Sequence, residues 1–168
     1  MNLTYLNGYP ADTVQQIETM LQEQRLGPWL LKKYPQPHGL RDDRALFGYV
    51  QELKQDYLKG ATPINKVLYD NKLQLVKNAL GTHTTISRVQ GSRLLAKREI
   101  RIASLFKDTP LEFLRMITVH ELAHLRERDH DKNFYKLCSY MEPNYHQLEF
   151  EVRVYLSYLD SSAQRLWS

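Results

Sequence analysis

No segment constrains this chain more than His120-Glu121-Leu122-Ala123-His124. Residues four apart on a helix share one face, one turn above the other. Two imidazoles so placed can reach a single metal ion. Glu121 projects beside them, where it can hold a water and take its proton rather than ligate. The pattern needs a helix, and a helix start is signalled independently. Thr109-Pro110-Leu111-Glu112 reads as an N-cap, a proline at the first helical position and the acidic end of a capping box. The predicted helix runs from there through His124 to about Arg128.

A catalytic zinc usually has three protein ligands and one open position. His130 lies six residues after His124 and reaches the metal if the chain turns tightly beyond Arg128. Its rivals are the carboxylates Glu142, Glu149 and Glu151 on the predicted last helix. Imidazole suits zinc better than carboxylate, and His130 requires only a local turn, so it is the favoured ligand. Glu149 or Glu151 then remain as groups that can orient a ligand imidazole. Tyr145 and His146, downstream, are candidate hydrogen-bond donors towards substrate.

The rest of the chain supplies a frame. With 168 residues it is long enough to bury a core without disulfide or metal staples, and one domain over 1–168 is expected. Its first part, 1–62, reads as helical. Asp12 can cap a helix carrying Val14, Ile17 and Leu21; Gly27-Pro28 reads as a break; a second helix is predicted from about Asp43 to Lys59. The period then changes. Lys66–Tyr69 and Lys72–Val76 flank Asp70-Asn71 as a hairpin would, and Thr84–Gln90 and Lys97–Ala103 alternate as strands. Helices return with one near Asp131, ended by Pro143, and another from about Asn144 to Asp160. This order predicts an α+β fold with a short, mostly antiparallel sheet between helical parts.

The single cysteine, Cys138, cannot form an intrachain disulfide and reads as a small buried helix residue. With no signal-peptide pattern at the start, the expected location is the cytoplasm. No apolar run is long enough to span a membrane. Lys and Arg total 23 against 19 acids, a net charge of +4. The excess concentrates in Arg88, Arg93, Lys97, Arg98, Arg101 and Lys107, against Glu99 alone. That surface suits phosphates or an acidic chain. Nucleic acid is compatible with it, but no base-reading motif accompanies the charge.

The stretch Arg115–Tyr145, with its His-Glu-Leu-Ala-His, His130, Phe134-Tyr135 and Met141-Glu-Pro-Asn-Tyr145, resembles the YgjP-like metallopeptidase family, a relative of the SprT and WLM zincins. The similarity extends from the Asn-Leu-Thr-Tyr-Leu start to Tyr145–Phe150. It implies a zincin-like core over 63–168, one zinc per chain on His120, His124 and His130, and Glu121 as general base. It also implies that Phe134 packs beneath the site and that a sheet edge strand lies along the cleft. The family's common Arg-Trp-Gly-Ser-Cys segment stands here as Arg88-Val89-Gln90-Gly91-Ser92, without the Trp and Cys. Arg88, Gly91, Ser92 and Arg101 are the candidate substrate-binding residues.

Three activities follow as expectations. The first is a zinc-dependent peptidase in which Glu121 takes a proton from water and passes it to the leaving amine. The alternative, also implied by the resemblance, is a metal-dependent nucleoside triphosphate (UTP) pyrophosphatase releasing diphosphate, with the basic strands steadying phosphates. Such enzymes usually hold Mg²⁺ on carboxylates, and no acidic cluster is evident. The third is a non-enzymatic binding protein with a structural zinc, for which Gln would serve at position 121 as well as Glu.

Overall fold

The computed structural model describes residues 3–73, 87–91 and 98–168, the segment 87–91 by its backbone alone. The N-terminal part opens with a 3-10 turn at Thr4–Leu6, then α1 (Ala11–Gln22), α2 (Leu26–Lys33) and α3 (Asp43–Tyr57). Pro10, not Asp12, is the N-cap of α1; the Asp12 carboxylate accepts from the neighbouring Thr13 N–H instead. The expected break at Gly27-Pro28 is the first turn of α2. Proline is tolerated there because the first N–H groups of a helix have no intrahelical partner to lose. Asp42 caps α3 by accepting from Ala45 N at 2.7 Å.

Strands β1 (Lys66–Asp70), β2 (Ser87–Gly91) and β3 (Arg98–Ala103) form a sheet in the order β1-β3-β2. β3 pairs in parallel with β1 and antiparallel with β2. The sheet is therefore mixed, not mostly antiparallel as expected. Alternation predicts strands but not the direction of their neighbours. Of the second arm of the expected hairpin, Lys72 lies in a turn with Asn71, Leu73 is not in a strand, and the remaining residues, 74–76, fall outside the described residues. Ile100 and Ile102 of β3 face the core with Val67 and Tyr69 of β1 in register beside them. Arg101, on the opposite face, bonds to Asp70 and Glu99, each at 2.9 Å.

A 3-10 turn at Ser104–Asp108 leads into α4 (Leu111–Ala123), followed by α5 (Lys132–Met141) and α6 (Tyr145–Ser162). The expected capping box does not form. Pro110 is the N-cap of α4, and the buried Thr109 hydroxyl donates back to Phe106 O at 3.1 Å. α4 packs against α3, α5, α6 and the sheet, so apolar residues ring it on most sides. One continuous core runs from Leu3 to Trp167 and joins the N-terminal helices to the rest. Among the described residues, no helix is long and apolar enough to cross a membrane.

Candidate metal centre

α4 ends sooner than expected, at Ala123, with His124 as its C-cap. Leu125 and Arg126 donate to the carbonyls of Leu122 and Ala123, three residues back, tightening the helix into turns. The chain can then double back within a few residues. Asp131 stops it, capping α5 by accepting from Phe134 N at 3.0 Å. His130, immediately before that cap, is thereby carried to the end of α4.

The result is a triad. The Nε2 of His124 lies 3.3 Å from that of His120 and 3.0 Å from that of His130. Among the described residues, these three form the one group of His, Cys, Asp or Glu side chains able to hold a metal ion. The chemistry of the donors supports that use. His124 Nδ1 lies 2.9 Å from the Glu127 carbonyl oxygen, which only accepts. Nδ1 therefore carries the proton, and the Nε2 lone pair faces the other two rings. Tetrahedral ligands at about 2.0–2.1 Å from zinc stand roughly 3.3 Å from one another. The two observed separations are close to that value.

Phe134 is fully buried under the three rings, its centroid 4.9, 4.6 and 4.7 Å from His120, His124 and His130. Glu121 is only 2% exposed, with Oε2 3.8 Å from His120 Nε2. Behind the triad, Tyr145 places its hydroxyl 2.8 Å from His120 Nδ1. Tyr145 is fully buried, and burial first, then the nearby Glu149 carboxylate, hold its hydroxyl well above the usual pKa.

The rival carboxylates sit elsewhere. Glu142 pairs with Arg115 at 2.8 Å. Glu151, fully buried, bonds to Lys33, Tyr34 and Gln147. Glu149 lies beside Tyr145 and 3.6 Å from Arg153. Tyr145, read from sequence as a donor towards substrate, faces a histidine ring instead. His146 is exposed, its ring 5.5 Å from that of Tyr135. Cys138 is buried beneath, and desolvation raises its thiol pKa, as a structural cysteine requires.

Of the candidate substrate residues, Arg88 and Gly91 lie on β2, opposite Arg101 and Arg98 of β3. β2 is an edge of the described sheet and runs against α4. Arg101 is engaged by Asp70 and Glu99. Ser92 falls outside the described residues, as do Arg93 and Lys97.

The family described as YgjP-like, metallopeptidase domain, matches residues 49–153, a span that holds the triad, Glu121 and Phe134. The chain belongs to that family. A UTP pyrophosphatase of Escherichia coli (strain K12) is 54% identical to this YgjP-like chain over 165 residues, covering 98% of the chain and 99% of the relative. No solved structure matches. Both likenesses are to hydrolases, and the YgjP-like chain is one. The family match begins within α3, whereas the relative extends the likeness over α1 and α2 as well.

Proposed function

We propose that this chain is a zinc-dependent hydrolase of zincin type, with His120, His124 and His130 holding the ion through Nε2 and Glu121 acting as general base. The convergence of three Nε2 atoms beside a buried carboxylate carries this reading. An all-imidazole donor set suits zinc and not magnesium, which prefers oxygen ligands. Zinc held there would supply a Lewis acid that makes water more acidic near neutral pH and polarises the bond to be cleaved. Glu121 accepts a proton from the attacking water on its carboxylate and returns it to the leaving group. The Glu127 carbonyl keeps His124 in the required tautomer, and Phe134 holds the three rings in place.

Two substrate classes fit this centre. The family and the His-Glu-x-x-His pattern point to peptide bonds: water adds to the carbonyl carbon, the C–N bond breaks and the amine leaves with the proton. The nearly full-length relative points to a nucleoside triphosphate such as UTP. Water then adds to the α-phosphorus, the bond to the β-phosphate breaks, and the monophosphate and diphosphate separate. The nucleotide reading rests on the longer match, and both readings are open to one assay. Zinc-loaded protein is incubated with UTP and, in parallel, with unfolded casein, and Glu121→Gln sets the background. Diphosphate and UMP, or new peptides, that vanish in Glu121→Gln identify the substrate class. Equal turnover in wild type and Glu121→Gln, or none on either substrate, would contradict the proposal.

A further inference from the structure

We propose that Tyr145 and Glu149 form with His120 a positioning relay, in which the Glu149 carboxylate orients the Tyr145 hydroxyl and that hydroxyl fixes His120 for metal binding. The inference rests on the zinc reading above.

Proton bookkeeping sets the direction of the relay. For Nε2 of His120 to present a lone pair, its proton must reside on Nδ1. That proton is donated to the Tyr145 oxygen 2.8 Å away. The phenolic proton is then free to point elsewhere. Glu149 stands one turn further along α6, on the same face as Tyr145. Its Oε2 is buried and accepts no hydrogen bond from the described residues, Tyr145 included, so it is the acceptor we assign to the phenolic proton once His120 holds the metal. Its Oε1 lies 3.6 Å from Arg153 Nε, and Arg153 Nη1 donates to Tyr5 O at 3.1 Å.

The order is Glu149, Tyr145, His120. A carboxylate at the far end of a hydrogen-bond chain draws each proton towards itself and raises electron density at Nε2. Full burial of Tyr145 shields the chain from water, and its ring lies nearly parallel to that of His120, at 21°. His124 has a backbone carbonyl in the corresponding place. The two ligands from α4 are thus oriented by different devices, one of them supplied by α6.

The test is zinc affinity of the purified full chain, stripped of metal and competed against a chromophoric chelator. Cobalt(II) substitution gives a visible spectrum that reports ligand geometry. Tyr145→Phe keeps the ring and removes the oxygen; its zinc affinity is expected to fall about 10- to 100-fold, the usual range for a group holding a ligand imidazole. Glu149→Gln keeps the shape and removes the charge; its affinity is expected to fall by at least about threefold, short of the Tyr145→Phe loss. Glu151→Gln, on the same helix but bonded to Lys33 and Tyr34, is expected to stay within about twofold of wild type and so separates the relay from general damage to α6. Should Tyr145→Phe not fold, the Glu149→Gln measurement decides alone. Affinity and cobalt spectrum unchanged in Tyr145→Phe would overturn the relay, and unchanged values in Glu149→Gln alone would remove Glu149 from it. A wild-type chain that binds no zinc would instead overturn the reading on which the relay rests.

Discussion

Replacing Phe134 with alanine removes the floor of the triad, and its cost follows from the packing. The ring is fully buried and touches all three imidazoles. Truncating such a phenylalanine costs about 3–5 kcal/mol, since transfer energy is lost and a cavity is left. In a chain of this size each kcal/mol lowers Tm by roughly 2–4 °C, so Phe134→Ala is expected to melt about 6–20 °C below wild type. The melt is followed by circular dichroism in excess chelator, so that only packing is measured. A second melt in buffered zinc adds the linkage between binding and folding. At free zinc a thousand times the Kd, wild type gains about 4 kcal/mol. Loosened rings that bind zinc about 10- to 100-fold more weakly gain roughly 1.4–2.7 kcal/mol less. A loss below about 1 kcal/mol in chelator would refute the packing argument. An unchanged zinc increment would refute the claim that Phe134 holds the ligands in place.

Other expectations can be checked alongside. Glu121→Gln is expected to keep its zinc, by elemental analysis, and to lose about 10²- to 10⁴-fold in turnover; retained turnover would remove Glu121 as the base. His130→Ala is expected to lose most of its zinc affinity in chelator competition, and full retention would refute the third-ligand assignment. Asp131→Ala removes the α5 cap next to His130, and chemical denaturation is expected to show a loss of about 1 kcal/mol. His38 is buried, with Nε2 2.7 Å from Phe106 O and Nδ1 accepting from Leu40 N. Burial first, then the nearby Arg41 charge, lower its pKa against the opposing pull of Phe106 O and Asp108. The unfolded chain therefore takes up the proton first. The stability His38 contributes is present above about pH 6.5 and declines as pH falls below it. Denaturation curves between pH 7.5 and 5 are expected to show a steeper decline in wild type than in His38→Gln, and equal slopes would count against this.

Much of the centre was legible because its geometry is local. Two histidines four apart need only a helix, and Asp131 is read correctly as the start of the next one, which brings His130 round. What escaped depends on tertiary partners. Thr109 carries the sequence signature of a cap, but in the buried turn its hydroxyl finds Phe106 O first. Gly27-Pro28 reads as a breaker, yet the first turn of α2 has no bond for the proline to break. The parallel β1–β3 pairing leaves no trace in the alternation of either strand. Glu142, Glu149 and Glu151 look alike in sequence and differ in what other elements bring to them: Arg115 from α4, Tyr145 from one turn back, and Lys33 and Tyr34 from α2 and its end. Nothing in the sequence pairs Tyr145 with His120 across α4 and α6.

The central claim is that three histidines hold a zinc ion. It is tested most directly by elemental analysis of protein purified without an affinity tag or chelator, beside a variant with His120, His124 and His130 all replaced by alanine. The account expects about one zinc per wild-type chain and almost none in the variant. Zinc absent from wild type even after incubation with the metal, or retained in full by the variant, would contradict it.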